Sequence, residues 1–191
     1  HASEIDLLIR LLSSSIDVLD GYPVGSSERA GLYAKVFGKE LCLNSGDKML
    51  LERGVLLRDI GKITIPQEIL KKNTLLSHDE WNILQSHVTR GADIVKRIGL
   101  LGNIDSIIRF HHEEYQGTGY PDALQGDKIP LLARVASIID VYCAMTVPRH
   151  YRQHHASHSS ALEYITSESG THFDPELVDI FCNTFRENII G

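Results

Sequence analysis

Apolar residues at helical spacing are the feature that most constrains the fold of this chain. Steps of three and four residues recur along most of its length, whereas the apolar–polar alternation typical of strands is scarce. The predicted helix bounds are 5–19, 26–41, 44–60, 66–70, 77–99, 103–112, 130–145, 157–166 and 175–186. Ser26 or Ser27 is the predicted cap of the second helix, and Gly61 the predicted end of the third. Ser77 and Glu80 form a predicted capping box.

Length and charge restrict the class of protein further. The 191 residues, 42% of them hydrophobic, predict one all-α domain, a helical bundle over residues 1–191. A net charge of -6 argues against a nucleic-acid partner, and no apolar run approaches the roughly 20 residues that span a bilayer. The odd number of widely spaced cysteines fits a reducing compartment and predicts a cytoplasmic domain: Cys42, Cys143 and Cys182.

The beginning of the chain predicts a domain cut from a longer protein. Residues 1–3 read His-Ala-Ser, without an initiator methionine, and are interpreted as a cloning remnant. An N-terminal helix is expected within residues 4–20. An upstream sensor or receiver domain is expected in the complete protein.

Histidines and aspartates suggest a metal site. Asp59, His87, His111, His112 and Asp140 offer imidazole and carboxylate ligands, which suit iron, manganese, zinc or nickel. Asp140 lies in an apolar run, so its buried carboxylate needs a cation, a metal or strong hydrogen bonds.

Each residue also has a simpler explanation. His87 alone could be a half-buried histidine with one hydrogen-bond partner. Adjacent histidines on a helix point about 100° apart, so His111 and His112 need not share a ligand. The Asp140 carboxylate could pair with a nearby arginine or lysine. Residue types alone therefore leave the metal site open.

The order of several motifs carries a family resemblance. Residues 57–63 read Leu-Arg-Asp-Ile-Gly-Lys-Ile, which resembles the His-Asp-Ile-Gly-Lys signature of HD-domain phosphohydrolases. Residues 111–121 read His-His-Glu-Glu-Tyr-Gln-Gly-Thr-Gly-Tyr-Pro, which resembles the stretch after which the HD-GYP family is named. Further matching stretches follow in the family order at 128–130, 133–135, 140–152 and 170–175. Several motifs in the right order identify the chain as a member of the HD-GYP family.

This resemblance implies an HD-domain helical bundle that holds two or three metal ions, often iron or manganese, and hydrolyses cyclic di-GMP. By analogy, one metal would use Asp59, His87, His111 and His112. The neighbouring metal would use Asp59 and Asp140 together with the positions of Ser26 and Arg58. The implied catalytic residues are Lys62 and Asp59, and the implied substrate-binding residues are Lys62, Tyr120, Arg149 and Arg152.

The chain departs from the family pattern at metal-ligand positions. Ser26 and Arg58 stand where the family has histidines, and Tyr22 stands where members with a third metal have a glutamate. Gln116 and Cys143 replace two aspartates. All four ligands of the first metal remain, whereas the second metal has lost both histidines. The resemblance therefore predicts one ion or none.

Arg58 is predicted to stand in for the second metal. A guanidinium keeps its proton near neutral pH and cannot ligate a cation. Its positive charge could instead neutralise Asp59 and Asp140, which makes an internal ion pair our hypothesis.

Three functions follow from these departures. The first is a degenerate signalling domain, weak or inactive as a phosphodiesterase, that binds cyclic di-GMP, a related cyclic dinucleotide or a protein such as a diguanylate cyclase domain. The second is an active phosphodiesterase with an atypical metal centre. The third is a dimerisation domain, in which the helix over residues 5–19 packs against its twin in a homodimer.

Overall fold

The computed structural model describes residues 2–99, 101–147 and 156–186, and within them the fold is all-α, as the periodicity predicted. Ten α-helices occur in these ranges: α1 (Ala2–Leu19), α2 (Ser26–Glu40), α3 (Ser45–Leu57), α4 (Gln67–Leu70), α5 (His78–Gln85), α6 (His87–Ile98), α7 (Asp105–Phe110), α8 (Leu131–Thr146), α9 (His158–Ser167) and α10 (Pro175–Phe185). Two 3-10 helices cover Ile60–Thr64 and Gly126–Lys128. No helix among the described residues has the length and apolarity needed to cross a membrane.

Two clusters of buried apolar side chains hold the helices together. The first joins α2, α8, α9 and α10, with residues of α3 and α7, around an aromatic group: Tyr33, Phe37, Tyr142, Phe181 and Phe185. Its rings meet edge to face, with 4.9 Å between the ring centroids of Tyr33 and Tyr142. The second cluster joins α1, α3, α6 and α7, and Leu50 contacts both clusters. The assignment of residues 1–191 to a single domain stays a prediction.

The start of α2 differs from the sequence prediction. Its N-cap position is Gly25, with a left-handed φ of 95°, and neither Ser26 nor Ser27 caps the helix. The carboxylate of Asp17, from α1, accepts instead from the backbone N–H groups of Gly25 (3.0 Å) and Ser27 (3.1 Å). Prediction of a serine cap was wrong because an acidic side chain from the preceding helix satisfies the free N–H groups.

The end of α3 and the segment after it also differ from the sequence prediction. The helix ends at Leu57 instead of about Ile60, and Gly61 lies inside the following 3-10 helix. A Cβ on Gly61 would lie 1.9 Å from the carbonyl oxygen of His87 and 2.7 Å from the backbone nitrogen of Gly91. Gly61 therefore allows this segment to touch the backbone of α6, which brings Asp59 beside His87.

The predicted helix over 77–99 is two helices, α5 and α6, separated at Ser86. The capping box at its start is confirmed, with the Ser77 backbone N–H donating to Glu80 Oε2 at 2.7 Å. No glycine or proline signals the break. Its consequence is that His87 becomes the first residue of a helix and turns toward the ends of α3 and α7.

Candidate metal centre

Four of the predicted ligands converge in one buried cluster: Asp59, His87, His111 and His112. One donor atom from each can be chosen so that all four lie within 4.8 Å of one another. The residues come from the end of α3, the start of α6 and the end of α7. His111 and His112 face the same point because α7 ends at Phe110, so the two follow it in a turn; their ring centroids are 4.1 Å apart.

Hydrogen bonds to the backbone prepare two of the imidazoles for a metal ion. His87 Nδ1 lies 2.7 Å from the Leu84 carbonyl oxygen, and His111 Nδ1 lies 2.8 Å from that of Ile108. Since a carbonyl only accepts, each Nδ1 carries the proton and each Nε2 keeps its lone pair. Both Nε2 atoms are buried and have no hydrogen-bond partner among the described residues. Buried acceptors of this kind are costly without a partner, so the donor set fits a divalent metal ion.

Burial also keeps these histidines neutral. It lowers the pKa of His87 and brings the pKa of His111 to about 4. The pKa of His112 is held well below its usual value by burial and by the neighbouring His111. All three imidazoles are therefore unprotonated near pH 7 and can act as ligands.

Lys62 forms the cationic side of this cluster. Its Nζ lies 3.0 Å from Asp59 Oδ1 and 2.8 Å from Asp20 Oδ2. Burial favours the neutral amine, but Asp59 and Asp20 outweigh it and raise the pKa of Lys62. Sequence reasoning missed Asp20, which lies in the turn after α1 and meets Lys62 only through tertiary packing.

Arg58 occupies the neighbouring position as an ion pair. Its Nε lies 2.5 Å from Asp140 Oδ1 and 3.5 Å from Asp59 Oδ2, and its Nη1 donates to the Val55 carbonyl at 3.0 Å. The residue is only 6% exposed. Burial opposes ionisation of Asp140, yet the charge of Arg58 lowers the pKa of that carboxyl to about 2. The structure thus has the internal ion pair that the sequence suggested, and Asp140, expected as a metal ligand, pairs with Arg58.

Ser26 lies near Arg58, but its hydroxyl group is not directed toward the metal cluster as a ligand; it forms a hydrogen bond with the backbone. Its hydroxyl donates to the carbonyl oxygen of Pro23 at 2.6 Å. With Arg58, Asp59 and Cys143 it lines a cavity of about 10 Å³, space for one water molecule at most.

The glycine-rich loop, residues 115–127, lies against His112. Tyr120 stacks on His112 with 5.0 Å between ring centroids. Glu113 is 2% exposed and accepts from the backbone N–H groups of Asp122 (2.7 Å) and Leu124 (3.0 Å). Glu113 was missed by sequence reasoning, although it adjoins the two histidines. It fixes the loop that carries Tyr120, whereas Arg149 and Arg152 lie outside the described residues.

Comparison with known proteins decides the family. A family model described as "HD domain" matches residues 6–177. The chain belongs to the HD domain family. Its resemblance to the HD-GYP family is confirmed by relatives named as cyclic di-GMP or 3'3'-cGAMP phosphodiesterases.

Two curated relatives illustrate the match of this HD domain. The cyclic di-GMP phosphodiesterase response regulator RpfG of Xanthomonas campestris is 33% identical over 88% of this chain and 45% of its own length. The 3'3'-cGAMP-specific phosphodiesterase 2 of Vibrio cholerae is 30% identical over 95% of this chain and 35% of its own length. The HD domain described here therefore spans less than half of each of these relatives.

Solved structures confirm the HD-domain fold. A cyclic GMP-AMP specific phosphodiesterase from V. cholerae superposes with a TM-score of 0.70 at 23% identity, covering 94% of this chain and 49% of that one. An HDG"Y"P protein from Bdellovibrio bacteriovorus superposes with a TM-score of 0.66 at 16% identity, covering 84% and 51%. HD-domain phosphodiesterases are metal-dependent, and this HD domain carries a candidate metal-binding cluster.

Asp140→Ala is expected to lower the free energy of unfolding of this HD domain by about 3 kcal/mol, because the buried Arg58 guanidinium would lose its shorter ion pair. Chemical unfolding in the presence of EDTA measures this loss without a contribution from metal binding. Asp122→Ala is the matched control, since its ion pair with Arg109 is half-exposed and should contribute less than about 1 kcal/mol. Equal losses in the two variants would show that the Arg58–Asp140 ion pair stabilises the fold no more than an exposed one.

Proposed function

We propose that this chain is a degenerate HD-GYP module that binds a single divalent metal ion, iron or manganese, and a cyclic dinucleotide, and that it hydrolyses the nucleotide weakly or not at all. The observation that carries the proposal is the ion pair of Arg58 with Asp140, at 2.5 Å. The Arg58 guanidinium lies between the carboxylates of Asp59 and Asp140. It supplies the positive charge that a second metal ion would bring, and it excludes that ion by repulsion.

The retained residues suit binding better than catalysis. A pair of metal ions supplies an activated water and a clamp on the phosphoryl transition state in enzymes of this type. Here Asp59, His87, His111 and His112 would hold one ion, with the Nδ1 bonds orienting two of the rings. Arg58 is held in ion pairs with Asp59 and Asp140, so contact with a substrate phosphate would require breaking them. Loss of comparable electrostatic stabilisation costs a factor of about 10² or more in rate.

Cyclic dinucleotides are the proposed ligands. The curated relatives that resemble this chain carry names of phosphodiesterases for cyclic di-GMP or 3'3'-cGAMP. We propose that Lys62 and Tyr120, beside the metal cluster, contact the nucleotide. Arg149 and Arg152, outside the described residues, are proposed to bind its phosphates.

An active phosphodiesterase with an atypical centre is the second candidate, and the complete four-residue cluster favours it. Metal analysis of anaerobically purified protein, combined with cyclic di-GMP and 3'3'-cGAMP turnover in added Mn²⁺ or Fe²⁺, separates the two. We expect one metal ion or fewer per chain and little or no product. Two metal ions with sustained hydrolysis would contradict the degenerate module.

Protein binding is the remaining part of the proposal. Leu7 and Leu11 of α1 are largely exposed in the described structure, which is consistent with packing against another helix. The homodimer, the diguanylate cyclase partner, the upstream domain and the cytoplasmic location stay predictions.

A further inference from the structure

An open groove lies beside the metal cluster. One wall is residues 18–21, at the end of α1, and the other is residues 70–73, which begin at the last residue of α4. Its volume is about 620 Å³, within the roughly 300–1,000 Å³ typical of small-molecule sites. The family motifs and the predicted site residues do not include the wall formed by residues 70–73.

The groove is connected to the metal cluster through two side chains. Asp20 lines the groove and accepts from Lys62 Nζ at 2.8 Å. Lys62 in turn lies 3.0 Å from Asp59, the carboxylate of the cluster. A ligand that reached the cluster past Lys62 would therefore lie next to Asp20, at the edge of the groove.

The groove has the chemistry of a nucleotide site. Val18 is 63% exposed and Leu70 is half-buried, so both can cover the faces of a base. Asn73 is exposed and offers an amide to the base edge. Among the described contacts, Lys71 Nζ donates only to the neutral amide oxygen of Gln67, at 3.1 Å. Its positive charge is therefore available to a phosphate. Lys72, by contrast, is paired with Glu80 at 2.5 Å.

We propose that this groove binds one nucleotide of a cyclic dinucleotide, with its base between Val18 and Leu70 and a phosphate near Lys71. The inference rests on the proposed function, because it assigns part of the same ligand. Two apolar side chains facing an amide and an ammonium without an ion pair among the described contacts match a base with a phosphate better than they match a peptide side chain. The groove therefore contributes affinity for the nucleotide, and none of its residues is catalytic.

The test is equilibrium binding of cyclic di-GMP and of 3'3'-cGAMP, each with Mn²⁺, to the whole chain and to four variants. Val18→Glu and Lys71→Glu place negative charge in the groove, and each should weaken binding about tenfold, which corresponds to about 1.4 kcal/mol. Leu11→Glu is the control for Val18→Glu, because Leu11 is 64% exposed on the same helix and outside the groove. Lys39→Glu is the control for Lys71→Glu, since Lys39 lies at the far end of α2, on the order of 20 Å from Ser26.

The outcomes separate the groove from the proposed function. Weaker binding by the two groove variants alone, with unchanged thermal unfolding, supports the inference. Binding by the unmodified chain that neither groove variant alters would overturn the groove assignment and leave the proposed function intact. Absence of binding by the unmodified chain overturns both, and equal weakening in the controls would show a nonspecific charge effect and overturn the groove assignment.

Discussion

His87→Ala is expected to weaken Mn²⁺ binding by about 100-fold or more, because even residues that only orient metal ligands contribute about 10–100-fold. His87 is buried, and its Nε2 faces Asp59 Oδ1 at 3.6 Å without a hydrogen-bond partner among the described residues. The change in Mn²⁺ affinity is measured by titrating metal-free protein with Mn²⁺, with calorimetry or electron paramagnetic resonance as the detection method.

Two variants control this experiment. His78→Ala removes an exposed histidine at the start of α5 and should leave Mn²⁺ affinity unchanged. Asp140→Asn removes the carboxylate that pairs with Arg58 and should have much less effect on affinity than His87→Ala, when measured on folded protein. If Asp140→Asn and His87→Ala weakened binding equally, Asp140 would belong to the metal centre and the single-ion proposal would be wrong.

Histidines at the two positions proposed to have lost them, Ser26 and Arg58, should raise phosphodiesterase activity. The double variant Ser26→His/Arg58→His removes the guanidinium that neutralises Asp140 and adds two imidazoles beside the remaining carboxylates. The Arg58 side chain is larger than an imidazole, so its removal also frees space next to the cavity of about 10 Å³. We expect a second metal ion per chain and a rise in cyclic di-GMP hydrolysis of about 10². Metal stoichiometry and chromatography of the products measure both.

The control for restored activity is Ser26→Ala/Arg58→Ala, which removes the guanidinium without adding ligands. It should gain neither metal nor activity. Equal activation in the alanine double variant would mean that Arg58 inhibits the site by itself and that added imidazoles are not needed for activity.

Much of the site could be predicted because its residues lie in local motifs. The pair His111-His112 and the step from Arg58 to Lys62 are recognisable from neighbouring residues alone. The ion pair of Arg58 with Asp140 could also be proposed, since a permanent cation beside two buried carboxylates has few alternatives.

Other residues of the site could not be predicted, because their roles depend on distant segments. Asp20 meets Lys62 across 42 residues of sequence. The Asp17 carboxylate replaces the predicted serine cap because α1 packs beside the start of α2. In the sequence, Glu113 is indistinguishable from an ordinary surface glutamate. Its role depends on the fold of the loop, which brings the backbone N–H groups of Asp122 and Leu124 to its carboxylate oxygens.

The sequence by itself determined the all-α fold and the family, since helical periodicity and motif order are local properties of the chain. It also predicted the loss of two ligand histidines, at Ser26 and Arg58. Only the tertiary structure decided which groups meet. Packing brings the buried Nε2 atoms of His87 and His111 together with no hydrogen-bond partner in the part of the chain that the structure describes. It also commits Arg58 to Asp140, because a buried charge must find its countercharge within reach of its own side chain.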